Sequence, residues 1–396
     1  MRIKVHRGTH QIGGCITEIR TDNARIFIDM GAELPGHEVP GSLEIEGVTT
    51  GAPQCDAVFI THYHGDHIGL YGKVLDGISI YMGETAKELF LTLATRINDE
   101  HIEHIKNFKT FNALDKITVN DIIVTPLLVD HSAFDAYMFL IECSGKRILH
   151  TGDFRLHGFR GKAVIPTLQK YVGKVDVLIT EGTSLSRESK TLLEERELQM
   201  LAKRILAENK YVFVLCASTN IDRIAAFYHA TPRGKYFLCD DYQKEILDIV
   251  TKCAGDKTTL YNFQKALTYG TNLDKKISER GFCMLVRSGD YFKRIMDNFP
   301  DAVFLFSMWD GYIKGNNKNQ RLAEFTSGYD FQPFHTSGHA SKMALKLVCE
   351  TVTPTIGIIP IHSEAPQNMT DLKTGYNIIC LHDNEEFVLD GSQRTQ

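Results

Sequence analysis

The sequence predicts an α/β protein in two parts with a metal site at its strand ends. Residues 1–180 run as short apolar, β-branched segments separated by turns, with one clear helix around Glu84–Asp99. Beyond them strands and helices alternate, which implies a parallel sheet with covering helices. A third pattern supplies the metal site: the run Ala57-Val58-Phe59-Ile60 leads into His62-Tyr63-His64-Gly65-Asp66-His67.

In chain order, Ala24–Ile28 reads as a strand ending on Asp29, and Ile122–Val129 as one leading through Asp130 to His131. Arg147–Gly152 leads to Asp153, and Val177–Thr180 ends on Glu181. Gly31, Gly65, Gly69 and Gly152 allow the tight turns that gather such ends. Ser189–Asn209 is a long amphipathic helical stretch, with Leu192, Leu193, Leu198, Leu201, Ile205 and Leu206 at helical spacing. Strands follow at Tyr211–Leu215, Tyr236–Cys239, Phe282–Val286 and Val303–Phe306, with helices at Ile221–Tyr228 and Tyr242–Cys253. His335–Ser341 precedes a helical segment, and Ile358–Ile361 ends on His362. The polar tail Asp390–Gln396 is expected to fray.

Four metal-ligating side chains within six positions carry a specific chemistry. Imidazole nitrogen suits zinc, and carboxylate oxygen lets a second ion join. In an extended entry His62 and His64 point to the same side. Asp66 and His67 lie at the turn into a helix and face another point. One ion could take the first pair and a neighbour the second, a two-metal hydrolase site whose bridging water becomes hydroxide near neutral pH. The remaining ligands must come from the other strand ends.

The order Asp29, HxHxDH, His131, Asp153 resembles the metallo-β-lactamase superfamily, an αββα sandwich with its metals at one edge. Glu181, His339 and His362 resemble motifs A, B and C of the beta-CASP branch, the nucleases that include ribonuclease J and the cleavage-and-polyadenylation endonuclease. The resemblance spans nearly the whole chain. It implies a metallo-β-lactamase domain in two parts, 1–182 and 334–396, around an inserted α/β beta-CASP domain, 183–333, carrying a mainly parallel sheet. It places His62, His64 and His131 on one Zn²⁺, Asp66, His67 and His362 on another, and Asp153 between them. Two zinc ions per chain are expected, with manganese as the alternative. Asp29 is expected behind the ligands, orienting a histidine. His339 becomes the general acid, held protonated by Glu181, with His335 as its competitor. A histidine at motif C favours RNA over DNA, by analogy alone.

Other residues carry weaker expectations. Ser218, Thr219 and Asn220 open a helix with Arg223 one turn in, an arrangement that suits a phosphate. Plain N-capping is the competing role. Ser337 and Ser341 flank motif B as further phosphate contacts; with the helix start they would favour a 5′-monophosphate end. Trp309, the single tryptophan, could stack a nucleobase or pack in a core. Lys314, Lys318 and Arg321 could line a groove or simply face solvent.

Composition bounds these readings. The net charge of −5 and absence of a polybasic stretch argue against a general nucleic-acid binder, so contacts must come from a local groove and the ions. None of the nine cysteines forms a CxxC pair, which fits reduced thiols and a cytoplasmic setting. No apolar run approaches a membrane span. After His362 only a short stretch remains, where ribonuclease J carries a further domain; a homodimer is one option, and the dimerisation and processivity such a domain supports are in doubt here. The expectation is a dinuclear phosphodiesterase cleaving single-stranded RNA, from an end or internally, with hydroxide between the metals attacking phosphorus, Asp66, Asp153 and Glu181 in the catalytic set and His339 as acid. The alternatives are a small-molecule ester or phosphodiester hydrolase and a catalytically silent RNA-processing scaffold.

Overall fold

The short apolar runs of the first 180 residues form two sheets, as alternation of side chains across each strand allows. The computed structural model describes residues 1–34, 43–187, 192–270, 273–315 and 318–389; the expected fraying of Asp390–Gln396 lies outside them. Among the described residues, one sheet orders its strands Glu386–Val388, Arg2–Arg7, Ile16–Arg20, Arg25–Ile28, Ala57–Phe59, Ser79–Gly83 and Lys109–Phe111. The other orders Gly357–Ile361, Val177–Glu181, Lys146–His150, Ala136–Cys143, Ile122–Val129 and Ile117–Val119.

Alternate residues of both sheets meet in one core. Ile3, Val5, Ile19, Ile26, Ile28 and Phe59 of the first pack with Phe139, Ile141, Ile148, Ile179 and Ile359 of the second. The opposite face of the second sheet shows Leu140, Leu149, Leu178 and Ile358 to Val164, Leu345, Val348 and Val352 of helices Gly161–Thr167 and Lys342–Val352. Helix Glu84–Ile97 packs against strand Ser79–Gly83 of the first sheet. The layers are those of an αββα sandwich.

The chain divides into two compact units: Met1–Leu156 with Arg160–Thr191 and Gly338–Gln396, and Leu192–Ser337 with His157–Phe159. The divisions fall nine and four residues beyond the expected 182/183 and 333/334. The second unit holds a sheet ordered Ala266–Thr268, Tyr236–Cys239, Phe282–Val286, Tyr211–Leu215, Val303–Phe306 and Phe331–Pro333, every pairing parallel. Its first and last strands are three-residue edges too short to stand out in the sequence.

One helix starts later than its periodicity suggests. Residues 189–191 lie outside the described set, and Leu192 and Leu193 precede the helix, which runs Glu195–Glu208. A capping box sets this start: the Glu194 side chain accepts from the Glu197 backbone, and the Glu194 N–H donates to Glu197 Oε2 at 2.7 Å. No described helix is long and apolar enough to cross a membrane.

Three strands of the first sheet are clasped through one carboxylate. Glu18 accepts from Arg25 Nε and Nη2 at 2.9 and 3.0 Å and pairs with His6 Nε2 at 2.7 Å. Burial alone would raise its pKa, but the bonds from His6 and Arg25 outweigh burial and hold it down to about 2, from an ordinary 4.5. A depressed carboxylate stabilises the fold above its unfolded pKa and loses that contribution as pH falls through the folded one. Glu18→Gln should therefore be less stable at neutral pH, by at most roughly 3 kcal/mol. Its deficit against the wild type should shrink between about pH 4.5 and 2, read from denaturant midpoints.

Candidate metal centre

The residues His62–His67 leave their strand in extended form and turn once as a helix over Gly65–Ile68. Neighbouring segments tie this turn down. Cys15 N–H donates to the Asp66 carbonyl, Met30 N–H to that of His67 and Ala32 N–H to that of Gly65. Gly31 is required here, since a Cβ on it would lie 1.8 Å from the Asp66 carbonyl oxygen.

Three imidazoles converge. His64 Nδ1 lies 3.1 Å from His62 Nε2 and 3.2 Å from His131 Nε2. Nitrogens on a tetrahedral zinc at its usual bond length stand roughly 3.3 Å apart, so the set fits that ion. Burial pushes His62 and His131 well below the ordinary histidine range and His64 down to about 4. Neutral imidazoles keep the lone pair that ligation needs.

Asp153 links this set to a second one. Its Oδ2 lies 3.9 Å from His62 Nε2, 4.0 Å from His131 Nε2, 3.3 Å from His67 Nε2 and 3.9 Å from His362 Nε2. His362 Nε2 is also 3.1 Å from Asp66 Oδ2. Asp153 Oδ1 is buried with no hydrogen-bond partner, and buried His67 Nε2 makes no well-aligned hydrogen bond beyond its 3.3 Å approach to Asp153 Oδ2. Buried polar atoms left in this way within a nest of donors mark places for cations. Burial alone would raise Asp153, but His362, His67 and His339 hold it well below the ordinary carboxylate range. The donor sets fit two divalent ions, and the structure brings all seven expected ligands into one cluster.

Outer contacts aim these rings. His67 Nδ1–H donates to Asp29 Oδ2 at 2.7 Å, and Asp29 is fixed in turn by the Thr61 N–H at 2.7 Å and hydroxyl at 2.8 Å. His131 Nδ1–H donates to the Gly338 carbonyl at 2.8 Å, which leaves Nε2 free to face the cluster. Beside the cluster, His339 Nδ1 lies 3.2 Å from Glu181 Oε2 and 3.5 Å from Asp153 Oδ2. Burial alone would lower His339, yet Glu181 and then Asp153 raise its pKa to about 9.

A model of the β-lactamase superfamily domain matches residues 25–232, more than half of the chain. The chain belongs to the metallo-β-lactamase superfamily, in its beta-CASP branch. A ribonuclease J of Sinorhizobium meliloti is 23% identical over 86% of this chain and 64% of its own length. A ribonuclease J of Helicobacter pylori is 23% identical over 96% and 59%. The chain thus spans about three fifths of these curated relatives. A crystal structure of a protein of unknown function from Enterococcus faecalis V583 matches with a TM-score of 0.77 at 20% identity, covering 98% of this chain and 99% of that one, a likeness of fold.

Within the beta-CASP frame, a residue that the sequence did not single out connects motif C to motif B. The Thr183 hydroxyl lies 2.8 Å from His362 Nδ1 and 3.3 Å from His339 Nδ1. Its position two residues after Glu181 was the available signal. Thr61, next to His62, and Cys15, far from the motif in sequence, were missed in the same way.

The expected phosphate contacts are placed differently. Arg223 is buried, with Nε and Nη2 on the two Glu195 oxygens at 3.0 and 2.8 Å and Nη1 bonded to Ser307 and the Phe334 carbonyl. That guanidinium is spent inside its own unit, which corrects its reading as a substrate contact. Asn220 and Ser341 cap the helices Ile221–Ala230 and Lys342–Val352, accepting from Arg223 N and Ala344 N. The Ser218 hydroxyl lies 3.2 Å from Tyr242 Oη, Thr219 is largely buried, and the Ser337 carbonyl accepts from His157 Nε2 at 2.8 Å. Trp309 is half exposed, edge-on to Tyr312 at 5.6 Å, so it is not a core residue. Lys314 pairs with Asp310, and Lys318 and Arg321 face solvent.

Asp29 has φ +65°, a conformation that asparagine accepts. Asp29→Asn should therefore fold but hold His67 less firmly. Its affinity for the ion position of Asp66, His67 and His362 should fall about 10- to 100-fold, read by metal titration, with an unchanged circular dichroism spectrum.

Proposed function

We propose that this protein is a dinuclear metal-dependent phosphodiesterase that cleaves single-stranded RNA. The observation that carries this reading is His339, held against Glu181 beside Asp153 in the metal-ligand cluster. A hydrolase acting on an activated ester needs no such acid; a phosphodiester with a poor leaving group does. The printed names of the relatives, ribonuclease J, support RNA as the substrate class.

His62, His64, His131 and Asp153 would hold one ion, and Asp66, His67, His362 and Asp153 the other, as zinc or alternatively manganese. Bound there, the ions supply Lewis acidity and an activated water. The chain does the rest. Buried imidazoles and carboxylates fix the ligand geometry before substrate arrives. Asp66 and Asp153 present acceptor oxygens that orient the attacking water. His339, protonated at neutral pH, gives its proton to the departing ribose oxygen. Glu181 takes no place in either ligand set, so its charge stays committed to His339. Ser218 and Thr219 are proposed to contact backbone phosphate, as are Ser337 and Ser341; Asn220 is proposed only through its capping of that helix start. Cysteines that form no disulfide among the described residues agree with a reducing, cytoplasmic setting for this activity.

The test uses metal-loaded protein with end-labelled RNA, matched DNA and bis-p-nitrophenyl phosphate. The wild type should prefer RNA. His339→Ala should keep its metal and lose on the order of 10²–10⁴-fold on RNA, with a much smaller loss on the nitrophenyl ester, whose leaving group needs no proton. Equal losses on both substrates, or no cleavage of RNA by the wild type, would refute this reading.

The pair also predicts a pH effect. His339 serves as acid while protonated, so the rate should fall as pH rises through its pKa in the folded enzyme. Removing the Glu181 charge with Glu181→Gln should lower that pKa, moving the alkaline limb of the rate profile down by roughly 1–3 pH units. A limb that stays in place would assign it to another group.

A further inference from the structure

Cys15 is buried, and the ionisable groups around it belong to the metal-ligand cluster, His67, Asp153 and Asp66, with Asp29 behind them. Cys349, by contrast, sits in the apolar core under the second sheet. Cys15 lies just before strand Ile16–Arg20, and both its backbone groups tie it to the metal-bearing loops. Its N–H donates to the Asp66 carbonyl and its carbonyl accepts from Gly31 N–H, each at 3.0 Å. Its Sγ, a nitrogen of His67 and a nitrogen of His362 all lie within 4.8 Å of one another. His67 Nε2 is buried and makes no well-aligned hydrogen bond; it faces Asp153 Oδ2 at 3.3 Å, so the ring that borders the Cys15 sulfur also opens onto the ligand cluster.

We propose that Cys15 is a sulfur donor to the ion position formed by Asp66, His67 and His362, and that it biases this position toward thiophilic ions. The proposal rests on the dinuclear reading above and adds a residue to it. A thiol kept only for packing gains nothing from a setting of histidines and carboxylates. As a ligand it completes a mixed nitrogen, oxygen and sulfur set. On binding, the thiol releases its proton to solvent and the sulfur–metal bond forms, with no change in oxidation state. Thiolate favours zinc, cadmium and cobalt over manganese and magnesium, whereas an all-nitrogen and oxygen set tolerates manganese. The two ion positions then differ in kind: the first is built of three imidazoles and a carboxylate, the second includes sulfur.

The experiment uses the full chain, stripped with chelator and titrated with Co²⁺, read by absorption. A sulfur-to-cobalt charge-transfer band should appear in the wild type as the second equivalent binds. It should be absent from Cys15→Ser and Cys15→Ala and retained in Cys55→Ser, whose thiol lies outside the cluster. Competition should show the preference of the second position for Cd²⁺ over Mn²⁺ falling about 10-fold or more in Cys15→Ser. Two bound cobalt ions without a sulfur band in the wild type would overturn the proposal while leaving the dinuclear reading intact. So would a band that survives in both Cys15 variants. Binding of fewer than two ions by the wild type would overturn both readings.

Discussion

One carboxylate oxygen organises this structure. Asp153 Oδ2 lies within 4.0 Å of a nitrogen on each of His62, His67, His131, His339 and His362. Those residues come from four segments, the loop after Ala57–Phe59, the ends of Ile122–Val129 and Gly357–Ile361 and the lead-in to helix Lys342–Val352, so the oxygen fixes where several loops must stop. Burying a carboxylate among imidazoles is costly unless positive charge meets it. The fold can bear that arrangement if cations complete it. Ions bound there would then be a condition on the packing of these loops as well as a chemical device.

The backbone carries part of the cost. Asp29 and His362 both adopt positive φ, at +65° and +51°, and each holds a position that orients or supplies a metal ligand. Non-glycine residues in that region store on the order of 1–3 kcal/mol. The surrounding hydrogen bonds over-determine both. The Asp29 N–H donates to the Phe59 carbonyl while its side chain takes two bonds from Thr61. The His362 N–H donates to Gly8, and its ring meets Thr183 and Asp66. Such over-determination fixes ring orientation before an ion arrives, which lowers the reorganisation that binding demands.

The sequence was most legible where one local segment carries the chemistry. His62–His67 is a contiguous cluster, and its spacing on an extended entry and a single helical turn divides the donors. The apolar strands of both units could be read for the same reason, since β-branched runs state their own conformation. Legibility failed where a role depends on which segments meet. Cys15 and Thr183 have ordinary local contexts and gain meaning only beside His67 and His362. Arg223 shows the reverse error: at a helix start it reads as an anion contact, but the buried carboxylate of Glu195 is its partner. Leu192 and Leu193 kept the helical period, yet the capping box at Glu194 starts the helix only after them. Local hydrogen bonding there overrode hydrophobic pattern.

The acidity of the chain now has a physical resolution. A net charge of −5 opposes binding of a polyanion over long distances. The buried arginine of the inserted unit offers no relief, because Glu195 neutralises it. The metal cluster is different in kind. Most of its ligands are imidazoles, three of them kept neutral by burial, so they do not cancel the charge of an ion they hold. Asp66 and Asp153 neutralise part of that charge, and Glu181 is matched by His339. Two divalent ions would bring four positive charges, set against nearby carboxylates, into a partly water-excluded place where charge acts most strongly. A phosphodiester would be drawn to the reacting centre itself rather than to a basic surface. On the proposed reading, that favours selection by the site over general affinity for nucleic acid.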